Sequence, residues 1–360
     1  MTIPRKKMNV MTLDDRAAIR KIDASDMLSV LERIPERLAA PRDAESTCQM
    51  RTETPMSLVF MGVGGSGIVG DILTDYCRDA VGIPVMVCRS LKIPKFVGKD
   101  TLVVAISYSG ETRETLDMFE EARHSGARLA AVCSGGKLLD AARTLGVPYV
   151  KVTAGMLPRV ALPELVGAAI HVLAAVGILE DTHRLLDMAT SSTRALIDEV
   201  KATVPLERNP AKQVATALMG RLPLLIGSEE NISVLRRFKN ELNDNSKVPA
   251  VFYTLPEAYH DDIEGLKALC ELSQPQPVIL RSHIQAEREL RTGERLLQVL
   301  SQLHFPTPAS FSGLGDGRLE WLLSAIAFGD FVSVYLSALR GVDPSEMSLI
   351  PSFRAITSRV

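Results

Sequence analysis

Two turns rich in glycine and serine carry the first residues whose types and spacing indicate chemistry. Gly65 and Ser66 lie in MGVGGSGIVGD, and Ser107, Ser109 and Thr112 lie in SYSGET. Each turn follows a short apolar run and precedes an amphipathic run. A helix N-terminus presents unpaired N–H groups and the positive end of the helix dipole, so hydroxyls placed there favour an anion. The two turns together predict a binding site for one phosphate group.

The first turn also matches the dinucleotide fingerprint, as Gly62-x-Gly64-x-x-Gly67. Arg89, near the end of the next predicted strand, would suit the 2′-phosphate of NADP in that interpretation. The second hydroxyl-bearing turn favours a phosphosugar instead, because a dinucleotide fold does not need it. A helix cap followed by acidic residues is a third explanation of SYSGET. The residues alone leave these alternatives open.

Three charged residues further along the chain lie in polar motifs. They are Arg159 before a strongly apolar stretch, Asp244 in FKNELNDNSK, and His260 sixteen residues later in PEAYHDDIEGL. A solvated helix end would explain Arg159 and Asp244, and a surface histidine would explain His260. The motifs therefore need further support.

The elements that would position these residues alternate along the chain. Short apolar runs predict strands at SLVFMG, PVMVC, TLVVAIS, RLAAVCS and PYVKV, with helices over 67–80, 111–125 and 136–145 between them. The second half repeats the pattern from LPLLIG to HFPTPASFS and continues into a long apolar helix over 318–340. Such alternation is typical of α/β layers with a parallel sheet covered on both faces. We predict two domains, residues 1–200 with an N-terminal helical segment and 201–360 with a C-terminal one.

The composition limits the possible partners. The 360 residues are 46% apolar and carry a net charge of −2, with no broad basic surface for nucleic acid or an anionic membrane. None of the five cysteines forms a CxxC pair, and the six histidines form no metal-binding motif. We find no apolar run of signal-peptide length near residue 1. The expectation is a cytoplasmic protein without a metal site, and without a nucleic acid or membrane partner.

Three motifs together, MGVGGSGIVGD, SYSGET and CSGGKL, resemble those of sugar isomerase (SIS) domains. In order and length the whole chain resembles the bifunctional phosphoglucose/phosphomannose isomerases, which have two such domains. The resemblance implies two αβα layers and interconversion of hexose 6-phosphates through a cis-enediol. It also implies that no organic cofactor is needed and that a homodimer shares its active sites between subunits.

The resemblance also implies roles for individual residues. The phosphate contacts fall on Ser66, Ser107, Ser109 and Thr112, beside Gly65. Arg159 would stabilise the enediolate, and Asp244 would carry the proton between C1 and C2. His260 would assist ring opening from the neighbouring subunit, and Arg354 would supply a further cation.

Two of these residues depart from the family pattern. Asp244 stands where the family has glutamate, which is one methylene longer, and Glu241 is a possible substitute one turn earlier. Arg354 stands where the family has lysine, and a guanidinium releases its proton far less readily. Two alternatives stay open for that reason. One is an isomerase of a modified sugar phosphate, and the other is a phosphosugar-binding protein without catalysis.

Overall fold

The structure is a computed structural model that describes residues 13–47, 54–283, 287–350 and 352. The chain divides into two compact units. The first unit comprises residues 33–194 and 315–323, and the second comprises the chain up to Glu32, residues 195–314 and the chain from Ser324 onward. The segment before Glu32 therefore belongs with the second sheet, whereas the sequence interpretation groups it with the first.

The first unit contains a five-stranded parallel sheet in the order β2-β1-β3-β4-β5. Its strands are β1 Ser57–Met61, β2 Val85–Cys88, β3 Thr101–Ser107, β4 Arg128–Cys133 and β5 Tyr149–Lys151. Every residue of β3 is buried, as the unbroken apolar run TLVVAIS predicts for a central strand covered on both faces.

The second unit contains a four-stranded parallel sheet in the order β7-β6-β8-β9. Its strands are β6 Leu222–Ser228, β7 Val251–Leu255, β8 Pro275–Arg281 and β9 Ala309–Ser312. The N-terminal segment packs with this unit because the buried ammonium of Lys212 donates to the Asp14 carboxylate at 2.8 Å. The Leu206 backbone N–H donates to the same carboxylate at 2.9 Å.

Helices surround both sheets. They are α1 Arg16–Ile22, α2 Met27–Glu32, α3 Ile34–Ala39, α4 Gly65–Ala80, α5 Arg113–His124, α6 Gly136–Leu145, α7 Leu162–Ala175, α8 Thr182–Val200, α9 Pro210–Leu218, α10 Ile232–Asp244, α11 Leu266–Leu272, α12 Glu287–Gln302 and α13 Arg318–Arg340. Amphipathic α5 and α6 turn their apolar side chains onto the first sheet, with Phe119, Leu138 and Leu139 in one cluster.

Two helical stretches, Pro158–Ala175 and Arg318–Arg340, are long and apolar enough to cross a membrane by length and composition. In the fold, 72% of the first stretch is buried inside the protein, and so is every residue of the most apolar 18-residue window of the second. Trp321 and Tyr335, for example, are fully buried on α13. Both stretches are therefore buried as core helices are, and core helices can be as apolar as membrane-spanning ones.

Candidate active site

The predicted phosphate-binding residues meet at the carboxyl edge of the first sheet. Gly65 and Ser66 begin α4 shortly after β1. Ser107 ends the parallel neighbour β3, and Ser109 and Thr112 lie between β3 and α5. The backbone N–H of Tyr108 donates to Ser66 Oγ at 3.2 Å, which joins the two turns directly. We call Ser66, Ser107, Ser109 and Thr112 the hydroxyl cluster.

The four hydroxyls are not equivalent. Ser107 is buried, and its Oγ donates to Thr112 Oγ1 at 3.0 Å while accepting the Gly110 N–H at 3.2 Å. Ser109 is exposed, and its Oγ accepts the Glu111 N–H at 3.2 Å. Ser107 therefore stabilises the turn through buried hydrogen bonds, and the hydroxyls of Ser66, Ser109 and Thr112 are more accessible to a ligand.

A third turn packs beneath the hydroxyl cluster. Ser134, after β4, donates its Oγ to the Tyr108 carbonyl at 2.6 Å. Gly110 has a φ of +69°, and a Cβ there would lie 1.8 Å from the Gly135 carbonyl oxygen. Gly136 also has a φ of +69°, and a Cβ there would lie 2.6 Å from the Ser109 carbonyl oxygen. The two glycines permit a close approach of the loops that no side chain would allow.

The helix ends at this edge suit an anion. Among the described side chains, none caps the first turn of α4 or α5, whose N-cap residues are Gly64 and Thr112. The Thr112 hydroxyl takes part in the hydrogen bond with Ser107 and not in capping its own helix. Backbone N–H groups and two helix dipoles at one edge of a sheet form an arrangement that favours a phosphate.

Arg159 lies next to the hydroxyl cluster. It is buried in the short helical turn Pro158–Ala161 that precedes α7. A Cβ built on Gly65 would lie 3.8 Å from the Arg159 Cα and 3.7 Å from the Pro158 carbonyl oxygen. The glycine thus allows the turn after β1 to approach the segment that carries the arginine.

Tyr108 is a site residue that the sequence reasoning missed. Its hydroxyl donates to the Thr153 carbonyl at 3.1 Å and accepts the Met156 N–H at 2.7 Å. Its backbone contacts Ser66 and Ser134, as described above. Tyr108 therefore connects the hydroxyl cluster to the segment leading to Arg159. The aromatic position inside SYSGET was the available signal, since a buried tyrosine needs a partner for its hydroxyl.

The structure gives no support to the assignment of Arg89 to a dinucleotide. Its guanidinium donates to the Gly67 carbonyl at 2.8 Å and forms an ion pair with Asp71. The arginine therefore stabilises the first turns of α4, and the buried carboxylate of Asp71 balances its charge.

In the second unit, Asp244 is the last residue of α10 and lines a cavity of about 550 Å³. We call this the Asp244 cavity. Its lining residues are Asn243, Asp244, Lys247, Val248, Pro249, Val342, Glu346, Met347, Ser348, Leu349 and Ile350. The predicted base is therefore half-buried beside a space of ligand size.

A buried ion network anchors the helix that carries Asp244. Arg237 on α10 donates to both carboxylate oxygens of Asp330 on α13, at 2.9 and 3.0 Å, and pairs with Glu241 at 2.7 Å. Burial lowers the pKa of Arg237, but the charges of Asp330 and Glu241 outweigh it and raise the pKa above its usual value. Asn245 also donates to Glu241, at 3.0 Å. Glu241 is thus buried and paired, so it is a poor substitute for Asp244 as the base.

His260 lies in the turn after β7 and is exposed. Its ring centroid lies 4.7 Å from that of Tyr259. It does not line the Asp244 cavity. Two acids follow it, and the pKa of Asp262 is raised by its burial and by the charge of Asp261. Arg354, the remaining predicted site residue, lies outside the described residues.

Several curated proteins are similar to this chain over most of its length. Residues 207–356 match the family model of the bacterial phospho-glucose isomerase C-terminal SIS domain. The bifunctional phosphoglucose/phosphomannose isomerase of Caldicellulosiruptor bescii is 29% identical over 302 residues, 84% of this chain and 89% of the relative. The enzyme of the same name from Pyrobaculum aerophilum is 30% identical over 301 residues, 82% of this chain and 85% of the relative. The chain belongs to the family of the bifunctional phosphoglucose/phosphomannose isomerases.

The fold is also found in solved structures. A glucose-6-phosphate isomerase like protein from Thermus thermophilus superposes with a TM-score of 0.64 over 96% of this chain and 99% of that chain. Its sequence is only 16% identical, so the likeness concerns the fold alone. The predicted family, and the predicted α/β fold with parallel sheets flanked by helices, are confirmed.

The predicted site residues of this chain fall into two groups. The hydroxyl cluster and Arg159 come together in the first unit. Asp244, with its cavity, and His260 belong to the second unit. Asp244 and Arg354 remain departures from the family pattern, and the roles of all these residues remain predictions.

Proposed function

We propose that this protein is an aldose–ketose isomerase that interconverts glucose 6-phosphate or mannose 6-phosphate with fructose 6-phosphate. The observation that carries the proposal is the hydroxyl cluster at the carboxyl edge of a parallel sheet, in a chain of the bifunctional isomerase family. The cluster lies beside the uncapped first turns of α4 and α5. Together they suit a phosphomonoester, the group that hexose 6-phosphates share.

In this proposal the first unit binds the phosphate. Ser66, Ser109 and Thr112 donate to the phosphate oxygens, together with N–H groups at the start of α5. Ser107 was predicted to contact phosphate as well. Its hydroxyl is buried and hydrogen-bonded to Thr112 and Gly110, so we propose that Ser107 stabilises the loop between β3 and α5 and does not contact the phosphate.

The proposed reaction moves one carbon-bound hydrogen and needs no organic cofactor. His260 assists opening of the sugar ring. The Asp244 carboxylate then removes the C2 proton of the open aldose, which leaves a cis-enediolate that the fixed charge of Arg159 stabilises. Asp244 returns the proton to C1, while a proton passes from O2 to O1, and the ketose results. Arg354 would add positive charge near the developing enediolate.

The assembly that we propose is a cytoplasmic homodimer in which His260 serves the partner's active site. The exposure of His260 and its position outside the lining of the Asp244 cavity support this assignment. A phosphorylated sugar is the expected partner, and neither nucleic acid nor membrane is required.

A coupled assay on the purified full-length protein tests the proposal. Glucose 6-phosphate and mannose 6-phosphate should each yield fructose 6-phosphate, and unphosphorylated glucose should not react, because it lacks the group that the hydroxyl cluster binds. Binding of fructose 6-phosphate without turnover would instead favour a phosphosugar-binding protein. Absence of both binding and turnover would overturn the proposal.

Mixed dimers test the sharing of the site. Asp244→Asn and His260→Ala chains should each be inactive, and mixing them under conditions of subunit exchange should restore part of the activity. Restoration follows because some mixed dimers contain one intact site. If exchange is demonstrated by mass spectrometry and activity does not return, His260 acts within its own chain.

A further inference from the structure

Four consecutive carbonyls, that of Asp244 at the end of α10 and those of the three residues that follow, accept hydrogen bonds from two cationic side chains. Lys247 Nζ donates to the carbonyl oxygens of Asp244 and, at 3.5 Å, Asn245. Arg340 Nη1 donates to those of Ser246 and, at 2.6 Å, Lys247 itself. The last carbonyls of a helix lack intrahelical partners and carry the negative end of its dipole. Lys247 satisfies the Asp244 carbonyl, and with Arg340 it also satisfies the three carbonyls of the loop that follows. We call the two side chains the cationic cap.

Lys247 also joins this helix end to the segment that closes the Asp244 cavity. Its Nζ donates to the carbonyls of Asp343 at 3.2 Å and Pro344 at 3.4 Å. The Asp343 carboxylate in turn accepts the N–H of Ser345 at 2.8 Å and its hydroxyl at 2.6 Å. Residues Glu346 to Ile350, which follow, line the same cavity as Asp244.

The backbone of Lys247 has an uncommon conformation that accompanies these contacts. Its φ is +56°, in the left-handed region that residues other than glycine and asparagine rarely adopt. Such conformations persist where surrounding contacts stabilise them, and they occur often at functional sites. Here the conformation allows the lysine side chain to return onto the carbonyl of Asp244.

The hydrogen bonds of Lys247 indicate positioning and not proton transfer. An ammonium group has three protons to donate, and four carbonyl oxygens surround it. We propose that Lys247 and Arg340 position Asp244 for proton transfer by fixing the end of α10 against the segment that begins at Asp343. This inference rests on the proposed function, since it assumes that Asp244 is the base.

The expected effect follows from the geometry of proton abstraction. Without Lys247, the Asp244 carbonyl at the end of α10 loses its side-chain partner, and the segment that begins at Asp343 loses its attachment to this helix end. A shift of about 1 Å in a reacting group can cost about a hundredfold in rate. We therefore expect Lys247→Met to lower kcat ten- to hundredfold, with little change in KM, because the phosphate is bound by the first unit.

The first arm of the test measures attachment and does not require activity. Hydrogen exchange followed by mass spectrometry should show faster exchange in the peptides that contain residues 244–247 and 343–350 in Lys247→Met. Lys247→Arg should restore most of the protection, because it keeps a cation with several donors. Lys267→Met is the matched control, because Lys267 is an exposed lysine on α11 of the same unit. Unchanged protection in Lys247→Met would overturn the cap.

The second arm measures positioning with hexose 6-phosphate deuterated at C2. If the base is misplaced in Lys247→Met, proton abstraction becomes more rate-limiting, and the primary isotope effect on kcat should exceed that of the unmodified protein. A loss of kcat with an unchanged isotope effect would mean that the cap supports the fold without positioning Asp244. Lys247→Arg should recover kcat. An unmodified protein without turnover would refute the proposed function, and the exchange arm would still decide whether the cap exists.

Discussion

The carboxyl edges of the two parallel sheets differ in the residues that follow their strands and in the capping of their helices. In the first unit, the turns after β1 and β3 bring hydroxyls and glycines together around two helix N-termini. In the second, β6 leads into Ser228, Glu229 and Glu230, and a cavity of about 170 Å³ lies nearby. Its lining is mostly apolar, with Arg281 and Glu294 as its charged residues. Directly after β6, two glutamates stand where the first unit has glycines and a serine.

The capping of the two edges explains the difference. Ser228 Oγ accepts the N–H of Glu230 at 3.2 Å and thereby caps its own helical turn. In the first unit, Gly64 before α4 has no side chain, and Thr112 before α5 bonds to Ser107 and leaves its own helix without a side-chain cap. The two glutamates after Ser228 would also repel a phosphate. The second unit instead contributes a carboxylate at the far end of a helix, which is Asp244 on α10.

The largest expected effect concerns the proposed base in the second unit. Asp244→Asn should lower isomerase turnover by roughly 10²- to 10⁴-fold, the usual contribution of a general base, with the affinity for fructose 6-phosphate nearly unchanged. Asp198→Asn, on an exposed carboxylate paired with Lys201, is the control. Full turnover in Asp244→Asn would remove Asp244 from the mechanism.

A further variant, Asp244→Glu, distinguishes two explanations for the shorter side chain. If the site is a weakened hexose-phosphate isomerase, glutamate should raise turnover of glucose 6-phosphate. If the pocket is built around aspartate for a modified sugar, the longer side chain should lower sugar-phosphate affinity. Parallel kinetic and calorimetric titrations measure both quantities.

The next largest effect compares an ion pair inside the second unit with one on the surface of the first. Arg237→Met should destabilise the protein by about 3–5 kcal/mol, because Glu241 and Asp330 would remain buried without their cation. Arg194→Met, which breaks the exposed pair with Glu36, should cost about 1 kcal/mol or less. Urea unfolding measures both losses, and equal losses would contradict the assigned burial.

A smaller effect should separate the hydroxyl cluster from the rest of its helix. Ser109→Ala combined with Thr112→Ala should weaken fructose 6-phosphate binding by about tenfold or more, since hydrogen bonds to charged groups contribute about 1.5–3 kcal/mol each. Ser125→Ala, at the opposite end of α5, should leave affinity unchanged. Calorimetry with fructose 6-phosphate and with inorganic phosphate provides the measurement. Equal affinities in the two alanine variants would remove the cluster from phosphate binding.

The smallest effect is a pH dependence in the first unit. Hydrogen bonds from Arg143 and Tyr149 lower the pKa of Glu45 from 4.5 to about 2. A carboxyl whose pKa is lower in the folded state stabilises the fold above the unfolded pKa and loses that contribution as pH falls towards the folded pKa. Glu45→Gln should therefore lower the melting temperature slightly at pH 7. The difference should shrink from about pH 4.5 downward and vanish near pH 2, and a constant difference would contradict the assignment.

Much of this fold could be predicted from local pattern. The bounds of β3, α6 and α13 agree with the predicted segments 101–107, 136–145 and 318–340, because each has a long and unambiguous periodicity or apolar run. The first residues of α4 and α5 differ by two positions from the predicted starts at 67 and 111, because α4 begins at Gly65 and α5 at Arg113. These shifts matter, because they leave Thr112 just before its helix and not inside it.

The sequence by itself determined that hydroxyls would meet at one edge of the first sheet, since neighbouring parallel strands end on the same side. It also determined the family, through short motifs that local spacing preserves. Tertiary structure alone decided that Ser107 lies buried and that Arg89 pairs with Asp71. It also decided that Arg237 pairs with Asp330, 93 residues away, and that Lys247 reaches the carbonyl of Asp343, 96 residues away. Such contacts depend on how distant segments pack, which no local pattern encodes.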